Sequence, residues 1–180
     1  MKNTSTLEFA LIGLMRHKAQ SGYDLRKTFT ETAMRHYSDS PGSIYPALRR
    51  LQGKGLIEPE PKDGRGREVF HLTPTGVEAL LQWLAQDLTR EDVTFRLQEV
   101  MLRFAFMDGN VPRSTTIRFL ERLELEFGAY VAELRAKYDR DSYMKPVHTG
   151  LLAFQLGVEG MEAHLSWARR ARARLEEESK

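Results

Sequence analysis

Apolar residues recur at steps of three and four over most of this 180-residue chain, the period of helices packed on one face. The first run carries Leu7, Leu11, Leu14 and Met15, and Ser5 followed by Glu8 gives it the spacing of a capping box. Ala19 to Gly22 reads as a turn in which Ser21 caps a second helix, with Asp24 in the first turn and Tyr23, Leu25, Phe29 and Ala33 along it. A loop from Arg35 to Ser40 leads to a third helix. Pro46 constrains where that helix starts, because a proline deep inside would clash with the preceding turn and remove a hydrogen bond. The first four helical N–H groups have no partner in any case. A start near Gly42 or Ser43 therefore places Pro46 in the first turn. Ile44, Ala47, Leu48 and Leu51 then share one face, and Tyr45, Pro46, Arg49, Arg50 and Gly53 lie opposite. Gly53 and Gly55 end the helix.

The helical period lapses only once. Leu56 to Glu60 and Glu68 to Leu72 read as two strands, with Phe70 and Leu72 on one face. Between them Lys62 to Gly66 forms a turn built on Asp63-Gly64. Thr73 and Pro74 form a cap and first position for a fourth helix, lined by Val77, Leu80, Leu81, Leu84 and Leu88. Trp83 falls off that stripe.

From Glu91 the pattern is helical to the end. Val93, Leu97, Val100, Phe104 and Met107 precede a break at Asp108-Gly109-Asn110. Pro112 opens a helix with Leu120, Leu123, Phe127, Val131, Leu134 and Tyr138 in line, and Asp139 to Pro146 reads as a polar break. In the last helix Val147, Leu151, Phe154, Val158, Met161, Leu165 and Ala168 keep a heptad step that Arg172 and Leu175 continue. A second apolar line, Leu152, Leu156, Ala163 and Trp167, predicts burial on two sides, one against the helix's own domain and one against a partner subunit.

The chain has 41% hydrophobic residues, enough for a packed core, and a formal net charge of +2. The charge is unevenly placed. Residues 1–90 hold 13 Lys and Arg against 10 Asp and Glu, and residues 91–180 hold 14 against 15. From Pro41 to Arg67 there are six basic residues and three acidic ones, so the excess gathers around the third helix and the hairpin. No cysteine is present, which removes disulfides, thiolate metal sites and thiol nucleophiles. The apolar stretch near the N-terminus is interrupted by Glu8 and lacks a small-residue cleavage site, so it does not read as a signal peptide. No stretch has the apolar length of a membrane span, and a cytoplasmic location is expected.

Three helices, a hairpin and a fourth helix make a winged helix-turn-helix over residues 1–90, and residues 91–180 make an α-helical dimerisation domain. The expected fold is mainly α with a small β-hairpin. In such a domain the third helix enters the DNA major groove. The candidate DNA contacts are Tyr23, Ser43, Tyr45, Pro46, Arg49, Arg50 and Lys54 on the helices, and Arg65 and Arg67 at the hairpin tip. Arg49 and Arg50 suit guanine readout or phosphate charge equally, and an ordinary solvated helix face also accounts for such a pair. Tyr23 suits phosphate contact or packing between helices.

Four blocks give the pattern a family likeness: Gly22-Tyr23-Asp24-Leu25, the run from Gly42 to Leu51, Gly55-Leu56-Ile57, and the run from Leu72 to Gly76. Residues 7–88 resemble the DNA-binding domain of PadR-family transcriptional regulators, with a wing shorter than many in that family. The helical region resembles the larger PadR subgroup by architecture. The resemblance implies a homodimer joined through Val147, Leu151, Phe154, Val158, Met161 and Leu165 and bound to an inverted repeat of double-stranded DNA. It implies repression, relieved by an aromatic or drug-like small molecule, with Trp83 and Trp167 as candidate pocket walls or as packing residues. The five histidines lack metal spacing, no cofactor is expected, and no nucleophile elbow, phosphate loop or catalytic carboxylate pair is present, so the chain is not read as an enzyme. The alternative is a winged helix that binds protein and not DNA.

Overall fold

Ser5 opens the first helix, α1 (Thr6–Met15), through the capping box that its spacing predicts: the Glu8 N–H donates to Ser5 Oγ and the Ser5 N–H to Glu8 Oε2. α1 buries Phe9, Ala10, Leu11, Ile12 and Met15, so it is enclosed on most of its circumference and not on a single stripe. The computed structural model describes residues 4–32, 41–60, 68–144 and 147–178. It divides into two units, Met1–Leu84 and Ala85–Lys180.

In the first unit, Gln20–Ser21 is a short strand, β1, where a turn was expected. It pairs antiparallel with β3 (Val69–Leu72), Gln20 opposite Phe70. β3 also pairs with β2 (Ile57–Glu60), so the hairpin gains a third strand and β3 is central. Ser21 also caps α2 (Gly22–Glu31), its hydroxyl oxygen accepting the Asp24 N–H. Helix α3 (Pro41–Gly53) begins one residue before the expected start. Proline is suited to a first helical position, and this leaves Pro46 inside the helix and not in its first turn. Gly55, at φ +69, reverses the chain into β2.

Helix α4 (Pro74–Leu84) is capped by Thr73, whose hydroxyl oxygen accepts the Gly76 N–H, and it stops at Leu84, short of Leu88. Its buried line is Gly76, Ala79, Leu80, Trp83 and Leu84, with Val77 and Leu81 only half-buried. Gly76 is the cause of this rotation: a Cβ there would stand 2.0 Å from the Leu56 carbonyl oxygen, so only glycine lets this side of the helix come so close. Trp83 is thereby a core residue, stacked on Phe9 at 4.5 Å and 5°, and not a side chain aimed away from the core.

In the second unit, Thr89 and Asp92 form a capping box for α5 (Arg90–Phe95). The expected single helix through Met107 is interrupted at Arg96 (φ −125, ψ 27) and resumes as α6 (Leu97–Ala105). The bend keeps both Val93 and Val100 buried and leaves Leu97 half-buried. Gly109, at φ +69, makes the predicted break. α7 (Arg113–Met144) then runs straight through Asp139, where a polar break was expected. Polar residues alone do not stop a helix: no glycine or proline lies between Asp139 and Met144, and the next proline is Pro146.

The imidazole Nδ1 of His148 accepts the Leu151 N–H at 3.3 Å and caps α8 (Thr149–Glu177). α7 and α8 form an antiparallel hairpin, paired from Tyr138–Gln155 near the connection to Arg113–Glu178 at the far end. Arg172 bridges to Glu124 at 2.6 Å, and Arg135 to Glu162. Leu120, Leu123 and Phe127 of α7 and Leu151, Val158, Leu165 and Ala168 of α8 are the buried seam of this unit. Among the described residues no helix is long and apolar enough to cross a membrane.

Candidate nucleic-acid interface

α3 has the two faces its spacing predicts. Ile44, Ala47, Leu48 and Leu51 are buried, and Tyr45, Pro46, Arg49 and Arg50 are exposed. Ser43 is half-buried. Tyr45 lies across the start of α2, where a Cβ on Gly22 would come within 2.7 Å of its ring. Tyr23, one residue on, is 51% exposed and Tyr45 46%. Together with Arg49, Gln52, Glu68 and Phe70 these residues line an open cleft of about 370 Å³ between α2, α3 and β3. Two phenols and the Arg49 guanidinium offer hydrogen-bond donors to a polyanion, and the cleft's one positive charge stands with the Glu68 carboxylate in the same lining.

The other side of α3 is engaged differently. Arg50 Nε donates to Glu8 Oε1 at 2.7 Å, and Lys54 Nζ to Glu8 Oε2 at 2.7 Å. Glu8 is 1% exposed, Lys54 is 26% exposed and Arg50 is 53% exposed. Burial pushes the Glu8 carboxyl up. The hydrogen bonds from Lys54, Arg50 and the Ser5 backbone outweigh it and hold the group below its ordinary value. Lys54, expected to face DNA, is thus tied to α1. The sequence marks Glu8 as a cap and as a break in the N-terminal apolar stretch. Its stronger signal is a carboxylate inside an otherwise apolar helix, which requires a charged partner once buried.

On the hairpin, His71 lies between Glu58 (3.0 Å) and Glu60 (3.3 Å). Arg65 and Arg67 lie outside the described residues. In the second unit the heptad line given to a partner subunit is largely enclosed within one chain. Leu151, Val158 and Leu165 are buried, and Phe154 and Met161 are half-buried. Val147, before the helix, is 75% exposed. The hairpin with α7 supplies the surface that covers this line. The other apolar line remains outward, with Leu152 53% and Leu156 71% exposed. Trp167 meets Phe104 edge-on at 5.3 Å within this unit, whereas Trp83 is spent on Phe9 in the first.

Residues 11–82 match the model of the "Transcriptional regulator PadR-like family". The transcriptional regulator Rv3488 of Mycobacterium tuberculosis is 45% identical over 56 residues, 29% of this chain and 52% of that protein. That match spans about half the relative's length. The negative transcriptional regulator PadR of Bacillus subtilis is 23% identical over 171 residues, covering 89% of this chain and 92% of the relative. A crystal structure of the Bacillus subtilis protein in complex with operator DNA aligns over 95% of this chain and 99% of its own, with 23% identity and a TM-score of 0.44.

Proposed function

From the match of residues 11–82 to the PadR-like family of transcriptional regulators, we propose that the chain is a cytoplasmic, sequence-specific repressor that binds an inverted-repeat operator as a homodimer. The observation that carries the reading is the outer face of α3, where Tyr45 and Arg49 stand exposed beside Tyr23 at one cleft. A helix whose inner face is wholly buried and whose outer face carries exposed donors is suited to lie in a major groove. The wing residues Arg65 and Arg67 would extend the contact to backbone or minor groove. The outward line of α8 at Leu152 and Leu156 supports pairing of two copies through the second unit, and Val147 before the helix is exposed as well.

The test is fluorescence anisotropy on inverted repeats from the chain's own upstream region, over a series of salt concentrations. Affinity is expected to fall with a log–log slope of about −0.9 for each phosphate neutralised. Replacing Arg49 and Arg50 together by Ala should remove operator binding and leave the oligomer intact. A salt-insensitive association, or an Arg49→Ala/Arg50→Ala protein that binds as tightly as wild type, overturns the reading and favours a winged helix that docks on protein.

An aromatic or drug-like effector belongs to the same proposal. A cavity of about 250 Å³ in the second unit is bordered by Phe104, the ring against Trp167, and by Asp108, Val111, Arg113, Thr116 and Leu175. A ligand there would act on the packing of α6, α7 and α8, which would carry the dimer contact.

A further inference from the structure

We propose that Glu8 is a positioning residue for operator recognition: it holds Arg50 as a fixed phosphate contact and leaves base reading on this helix to Arg49. The proposal rests on α3 being the operator-facing helix. Successive helical residues are about 100° apart, so the two adjacent arginines serve different sides of α3. Arg49 shares its cleft with Tyr23, Tyr45 and Gln52. Arg50 is drawn toward α1, where Glu8 holds Nε at 2.7 Å.

Three features make this more than a tie between helices. Glu8 cannot follow Arg50 if that side chain swings, because its carboxylate also takes Lys54 at 2.7 Å and the Ser5 N–H at 3.0 Å. Only Nε of Arg50 is used: the side chain stays 53% exposed, and Nη1 and Nη2 have no partner among the described residues. The held group is also the long, rotamer-rich one, and fixing it during folding removes an ordering cost from DNA binding. Arginine suits this double duty because its planar fork bonds in two directions at once, which a lysine ammonium on a flexible stem does not reproduce. Arg50 lies toward the C-terminal end of α3. Arg49, one residue before it, lines the cleft, whereas Arg50 is drawn off that side toward α1, and this leaves backbone phosphate to Arg50.

A double-mutant cycle on the full-length protein separates positioning from stability. Operator affinity and its salt slope are measured for wild type, Arg50→Ala, Glu8→Gln and the double variant. Arg50→Ala should weaken binding about tenfold and flatten the slope by about 0.9. Glu8→Gln should cost a similar factor in the wild-type background and nothing in the Arg50→Ala background. An equal loss in both backgrounds overturns the proposal and makes Glu8 merely structural. Arg50→Lys tests the same point with Glu8 intact, should Glu8→Gln fold poorly. It should lose as much affinity as Arg50→Ala, and wild-type affinity in this variant overturns the proposal. If Arg49→Ala and Arg50→Ala both leave binding unchanged, the reading of α3 falls and this inference with it. Additive losses remove this inference alone.

Discussion

Glu8 is the residue at which local and distant constraints meet. Its place three positions after Ser5 made the capping box legible from spacing alone. Its partners Arg50 and Lys54 lie 42 and 46 residues along the chain, beyond the reach of any local pattern. Trp83 was misplaced for a similar reason: the missing side chain of Gly76 turns α4, and a helical wheel contains no information about Leu56. Glu8 also predicts a pH dependence. Its folded pKa lies below the ordinary 4.5 of the unfolded chain, so the unfolded state binds the proton more readily. The stabilisation is complete above 4.5 and is lost as pH falls through the lower folded value. Chemical denaturation should find Glu8→Gln less stable than wild type by about 1–3 kcal/mol at pH 7, with the gap closing under acid. A gap that stayed constant from pH 7 to pH 3 would mean that the carboxylate charge contributes nothing.

At the scale of elements, types were legible and boundaries less so. The helices followed from period and caps, and the hairpin from alternation and Asp63-Gly64. β1 escaped because two residues carry no period; it exists only because β3 passes beside it. The extension of α7 through Asp139 was missed because polarity was taken for a helix stop. On α8 both apolar lines were read, but the heptad line was given to a partner subunit, whereas Leu151, Val158 and Leu165 are buried within one chain. Their different environments give a prediction. Leu165→Ala, on the enclosed line, should cost about 2–4 kcal/mol of stability. Leu156→Glu, on the outward line, should leave helicity and stability nearly unchanged and convert the proposed dimer to monomer in light scattering. A stable dimer after the second change would place the interface elsewhere.

For the whole molecule, the two-fold pairing proposed above would impose a rigid requirement on the operator. Two recognition helices on one symmetric dimer meet the same side of a duplex only when half-sites are spaced by whole turns. Inserting five base pairs between the half-sites, about half a turn, should abolish cooperative binding in a mobility shift, and inserting ten should restore part of it. Equal affinity for all three spacings would exclude a symmetric dimer on one face. The central place of β3 has a consequence of another kind, in the order of assembly. Gln20 and Ser21 leave the ribosome early, but their strand partner is Val69–Phe70, and β2 also waits for β3. The α7–α8 hairpin closes from contacts only 17 residues apart, between Tyr138 and Gln155. Non-local pairing is slow and local pairing fast. The half of the chain made first is therefore the slower to close, and a nascent chain that ends before Val69 holds two edge strands with no strand between them.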